Sequence, residues 1–181
     1  MIYNESAQAI DADLRTGVVT GQSRDLLVSI EVVDGTPQQD SVRGSDTYGY
    51  TILPRGGVDT IVGGEAGEAI YTGEGADHVR AGGGSDVVDG EAGNDDVFGD
   101  DGEDRVHGDA GRDSLGGGYG DDVVHGGAEN DFVFEYGAGS EAIFGDAGND
   151  FLDAGGGTDE GDGGSGSDRC RNFEQQTSCE R

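Results

Sequence analysis

The chain has 181 residues, room for one ordinary domain, but 38 are glycine, two are proline and none is tryptophan. That composition excludes a thick core of large side chains. The net charge of −29, from 39 acidic and 10 basic side chains, excludes the basic patch that nucleic acid requires, and it is the signature of a disordered acidic chain unless cations neutralise the carboxylates and a regular pattern supplies a fold.

Residues 1–53 are the least regular part. Met1-Ile2-Tyr3-Asn4-Glu5 is polar and carries no signal-peptide pattern. No apolar run along the chain approaches the roughly 20 residues of a membrane span. Asp25–Thr36 is an apolar segment, and Asp40-Ser41-Val42-Arg43-Gly44 has the look of a first, degenerate turn. Residues 1–53 are expected to form wider coils that start the array described next and cap its first rung, since an open end exposes apolar side chains and strand edges.

From Pro54 a nine-residue pattern takes over. It runs without a gap to Phe134, needs one extra residue near Glu135, and resumes from Tyr136 to Arg171, giving thirteen units over residues 54–171. Position six is acidic in every unit: Asp59, Glu68, Asp77, Asp86, Asp95, Asp104, Asp113, Asp122, Asp131, Glu141, Asp150, Asp159 and Asp168. Position eight is apolar, mostly β-branched, in all units but the one with Gly161. Position four is glycine in eleven of thirteen, Ala66 and Glu129 being the exceptions. The spacing predicts a short strand at positions seven to nine, with position eight inward and its neighbours outward. Positions one to six are expected to form a glycine-rich turn. Two units then make one coil, and the coils stack as an all-β, right-handed parallel solenoid with two sheets.

Stacking recurs every eighteen residues, so one edge collects Asp59, Asp77, Asp95, Asp113, Asp131, Asp150 and Asp168. The other collects Glu68, Asp86, Asp104, Asp122, Glu141 and Asp159. Like charges about 4.8 Å apart cannot all stay ionised without counterions. A hard cation between coils resolves this, because Ca²⁺ accepts carboxylate and carbonyl oxygens alike. Turn carbonyls such as those of Gly84, Gly93, Gly102, Gly111, Gly120 and Gly148 are the expected backbone donors. The longer Glu68 and Glu141 are expected to make weak sites.

The pattern G-G-x-G-x-D-x-U-x resembles the RTX, or hemolysin-type, calcium-binding repeat, with good local matches at Gly93-Asn94-Asp95, Gly148-Asn149-Asp150 and Gly163-Gly164-Ser165-Gly166-Ser167-Asp168. Asp13-Leu14-Arg15-Thr16-Gly17 and Asp25–Thr36 are similar to the segment that leads into such arrays. The resemblance implies a β-roll that folds on taking up several Ca²⁺ outside the cell, each ion held by position-six aspartates and turn carbonyls of coils eighteen residues apart. It also implies secretion, and upstream catalytic or adhesive domains in a larger protein. A self-standing structural or adhesive protein, associating through its ends or sheet faces, is the alternative.

At the C-terminus, residues 172–181 are expected to close the array, with a Cys170–Cys179 disulfide and Phe173 over the apolar end; such bonds persist in extracellular proteins. His107 and His125 are eighteen apart and should stack on one face, as solvated side chains. Phe98, Phe134, Phe144, Tyr71 and Tyr136 fall at or near outward positions. No Ser/His/Asp or Cys/His set stands out, so the chain is not expected to be an enzyme.

Overall fold

The structure, a computed structural model, describes residues 8–20, 25–26 and 32–179. Met1–Glu5 and the middle of the Asp25–Thr36 segment, residues 27–31, lie outside them. Among the described residues every regular element is a strand. Two eleven-stranded sheets face each other, with successive coils contributing one strand to each. Pairing is parallel at an eighteen-residue offset: Val79 lies beside Val97 and Val97 beside Leu115 in one sheet, Val88 beside Val106 and Val106 beside Val124 in the other.

The core is one side chain wide. Ile61, Val79, Val97, Leu115, Val133 and Leu152 from one sheet meet Ile70, Val88, Val106, Val124 and Ile143 from the other, each at most 1 % exposed. Removing such a side chain from water is worth about 1.5–3 kcal/mol, but only when the coils above and below complete the enclosure.

The strands outrun the expected three residues. His78–Gly84, Asp96–Gly102, Arg105–Ala110 and Ala142–Gly148 continue past position nine into position three or four of the next unit. Glycine makes this possible. A Cβ on Gly93 would stand 1.4 Å from Gly75 O, and one on Gly111 would stand 1.3 Å from Gly93 O. Position two has its own requirement. It takes positive φ at Gly73, Gly82, Gly118 and Gly127, and also at Arg55, Glu91, Asp100, Asp109 and Asp146.

The irregularity near Glu135 resolves differently from the sequence expectation. The Glu135 amide donates to Asp153 O (2.8 Å), as the Ala154 amide donates to Arg171 O (3.1 Å). Glu135 therefore fills position one, and Tyr136 is the extra residue. Tyr136 turns outward, packs edge-on against Tyr119 at 5.7 Å between ring centroids and donates its hydroxyl to Asp100 Oδ1 (3.0 Å).

Both ends are finished by departures from the repeat. At the start, Asp11–Asp13 pairs in parallel with Ser41–Arg43 but antiparallel with Val18–Thr20, which pairs antiparallel with Asp25–Leu26. At the other end, Arg169–Arg171 and Gln175–Thr177 are the last rungs of the two sheets. A Cys170–Cys179 disulfide ties them, its Cα atoms 5.7 Å apart. Phe173 packs against the core there.

Candidate metal centres

Each position-six acid sits where its strand begins, so its backbone is fixed by the ladder while its side chain turns into the coil. All thirteen, from Asp59 to Asp168, are at most 4 % exposed. Along each edge one carboxylate oxygen accepts the amide of the acid one coil earlier. The Asp59 amide donates to Asp77 Oδ1 at 2.7 Å, Asp77 to Asp95 at 2.8 Å, Asp95 to Asp113 at 2.8 Å and Asp113 to Asp131 at 2.9 Å. Asp86 donates to Asp104 and Asp104 to Asp122, both at 2.8 Å.

The first edge extends beyond the repeat. The Ile10 amide donates to Asp40 and the Asp40 amide to Asp59, and the run continues through Asp131, Asp150 and Asp168. The second edge is interrupted between Asp122 and Glu141. It resumes where the Glu141 amide donates to Asp159 Oδ1 (3.1 Å) and the Asp159 amide to Glu174 Oε2 (2.7 Å). Asp40 and Glu174 act as terminal acceptors. Spacing alone did not single them out, because each lies outside the nine-residue frame.

The other oxygen is the chemically important one. Oδ2 of Asp59, Asp77, Asp86, Asp95, Asp104, Asp113, Asp122, Asp131, Asp150, Asp159 and Asp168 is buried without any hydrogen-bond partner, as are Glu68 Oε1 and both oxygens of Glu141. A buried, unpartnered carboxylate oxygen is costly. Burial, against the opposing pull of the donated amide, pushes Asp59, Asp104 and Asp113 up to about 7 and Asp86, Asp95, Asp131 and Asp150 up to about 6. Neighbouring carboxylates on the same edge add to the rise at Asp59, Asp104 and Asp113. The same burial raises Asp77 and Asp122.

What faces these oxygens is backbone. The space where a Cβ would project from Gly99 lies 2.3 Å from Asp104 Oδ2 and 2.7 Å from Gly117 O. From Gly108 it lies 2.4 Å from Asp113 Oδ2 and 2.5 Å from Gly126 O, and from Gly145 it lies 2.6 Å from both Asp150 Oδ2 and Gly163 O. A bare glycine at position one thus keeps open a cradle bounded by the unpartnered carboxylate and the position-one carbonyl of the next coil. The expected carbonyls at position four stand on the side of the other carboxylate oxygen: those of Gly84, Gly93, Gly102, Gly120 and Gly148 press on the position-four glycine of the following coil, and the Cβ position of Gly102, 1.6 Å from Gly84 O, lies 2.8 Å from Asp104 Oδ1. The sequence signal for position one was present, since glycine holds it in eight of thirteen units.

Among the described residues no three His, Cys, Asp or Glu side chains converge on one point. A cation here must draw on carbonyls as well as carboxylates. All-oxygen donors of mixed kind, arranged around buried unpartnered carboxylates, suit Ca²⁺ and give a soft metal no ligand.

The remaining candidates stay at the surface. His107 and His125 lie side by side on one face as expected, ring centroids 4.9 Å apart and planes tilted by 60°. Nδ1 of His125 lies 2.9 Å from Asp146 and that of His107 lies 3.5 Å from Asp89. Phe132 and Phe151 stack at 5.0 Å, and Phe132, Phe134, Tyr119 and Tyr136 are exposed.

The RTX calcium-binding nonapeptide repeat family matches the chain in four copies, over residues 62–97, 71–106, 98–133 and 135–170, more than half of its length. The third and fourth copies part at residue 134, beside the inserted Tyr136. No curated protein matches the chain.

Proposed function

The chain belongs to the RTX calcium-binding nonapeptide repeat family, a calcium-binding β-roll by fold, and from that premise we propose that it is a Ca²⁺-driven folding module of an exported protein. One observation carries the reading: in every one of the thirteen units the position-six acid is buried with an oxygen that has no partner. Ca²⁺ is the cation that the family and the all-oxygen donor set indicate. The ligands in this reading are Asp59, Asp77, Asp86, Asp95, Asp104, Asp113, Asp122, Asp131, Asp150, Asp159 and Asp168, with turn carbonyls between coils.

Ca²⁺ neutralises the column that otherwise prevents the coils from closing. An ion that binds only the coiled state stabilises it by RT ln(1 + [L]/Kd), about 2.7 kcal/mol per site at a hundredfold excess over Kd. Many sites in series turn a modest affinity into a steep transition. In the calcium-poor cytoplasm the chain stays extended and unfolded; outside the cell it coils. Residues 1–53 start the array and residues 172–181 lock it, with upstream catalytic or adhesive domains supplying the activity. The disulfide accords with an oxidising compartment. Among the described residues no helix is long and apolar enough to cross a membrane.

A second reading, a self-standing adhesive or structural protein, is favoured by the exposed Phe132, Phe134, Tyr119 and Tyr136 on and beside one sheet, a surface suited to self-association. Circular dichroism during a Ca²⁺ titration tests the main reading. β signal should appear with millimolar Ca²⁺ and vanish with EGTA; an EGTA-treated chain with full β signal and a sharp melt overturns it.

A further inference from the structure

Glu135 lies outside the repeating acidic column, yet it is 1 % exposed. Its carboxylate reaches back one coil and accepts the amides of Gly117 (2.6 Å) and Gly118 (2.8 Å). Asp122 Oδ2 stands 2.5 Å from the place the Cβ of the same Gly117 would occupy. Two carboxylates from adjacent coils therefore flank Gly117. The third acid of this step is Glu141, 3 % exposed, whose oxygens meet no donor and whose carboxyl also lies against that of Asp159 in the following coil. Its Oε1 and Gly120 O lie 2.4 and 1.9 Å from the Cβ position of Gly139. This is also where the amide-to-carboxylate run of the second edge is interrupted.

An anion cannot satisfy two other anions, so Glu135 is no substitute for a cation at this step. Resting on the calcium reading above, we infer that the step between Asp122 and Glu141 is a cation site of its own kind, in which Glu135 adds a carboxylate that no other coil supplies. The entering ion draws Glu135 and Glu141 inward, since no three acidic side chains already converge there. More carboxylate ligands mean tighter binding and a stronger preference for high charge. The expectation of a weak site rested on the length of Glu141 and on strain from the inserted residue near Glu135; the carboxylate of Glu135 argues the other way.

Tb³⁺ replaces Ca²⁺ in oxygen sites and is sensitised by nearby tyrosine, here Tyr136, next in sequence to Glu135. In the full chain, the first equivalent of Tb³⁺ should give tyrosine-sensitised emission. Glu135→Gln should raise that midpoint about tenfold, whereas Glu74→Gln, at an exposed position outside the ligand set, should leave it in place. An unshifted first phase in Glu135→Gln overturns the inference. Should Glu135→Gln fail to coil in Ca²⁺, anomalous scattering from Tb³⁺-soaked wild-type crystals decides: the strongest peak between Asp122 and Glu141 supports the site, and filled sites elsewhere with none there overturn it. A wild-type chain without calcium-dependent folding overturns the reading on which it rests.

Discussion

Phe173 occupies the space that a side chain at residue 161 would need: its ring carbon Cε1 stands 2.6 Å from the Cβ position of Gly161. The sole non-apolar entry in the inward column is thus filled from outside the repeat. Gly161→Val should displace the ring, and Phe173→Ala should uncover the last rung, each costing about 1–3 kcal/mol, below a fully buried truncation because Phe173 is only partly buried. Combined, the two should cost less than their sum, because the valine takes the vacated space. Melting in saturating Ca²⁺ measures all three; simple additivity would refute the substitution of one side chain for the other.

Val106→Asp should be the most damaging single change in the central coils. It places an unpaired charge in a core one residue wide, at a cost of about 3–5 kcal/mol, and breaks the stack on both sides. Arg105→Ser, one residue away on the exposed face, should stay within about 0.5 kcal/mol. Equal losses, read from the Ca²⁺ midpoint and the melt, would mean that the inward register is misplaced.

Asp104→Ala acts on the neighbouring coils. The Asp86 amide loses its acceptor, worth about 1–3 kcal/mol when buried, and the ions shared with the coils above and below lose a ligand. Native mass spectrometry should show two fewer Ca²⁺ at a fixed concentration. Loss of none would remove Asp104 from the ligand set.

Acid should substitute in part for calcium. The coiled state raises the carboxyls of Asp59, Asp104 and Asp113 to about 7 and those of Asp86, Asp95, Asp131 and Asp150 to about 6, against about 3.9 in an unfolded chain. The coil therefore binds more protons than the unfolded state. Its stability in chelator is greatest below about pH 4 and is lost as pH rises through 6 to 7. With Ca²⁺ present, protons compete, and the apparent affinity should fall below about pH 6. A β signal in EGTA that rises with pH would contradict the sign.

The columns at positions four, six and eight were legible because one kind of residue serves one need in almost every coil. Position two was not, although its backbone is as constrained. Its positive φ is met by glycine in some units and by Asp100, Asp109, Asp146, Glu91 or Arg55 in others, so no residue type marks it. Several of those acids then serve the surface: Asp100 receives Arg80 and Tyr136, and Asp146 holds His125. The Glu135–Tyr136 order was hidden for another reason. A one-residue insertion can be placed on either side of a frame by composition, and only the Glu135 amide donating to Asp153 O decides it.

Because the two edges are built from alternate nonapeptides, the coil of eighteen residues, and not the repeat of nine, is the unit in which such a chain can lengthen or shorten. Removing residues 87–104 would join Asp86 directly to Arg105 and bring Val79 beside Leu115, leaving each surviving strand in its own sheet. Removing only nine would send every later strand to the opposite face and exchange the continuous edge for the interrupted one. Tyr136 shows the other tolerated change, a single residue looped outward, where no neighbour has to follow.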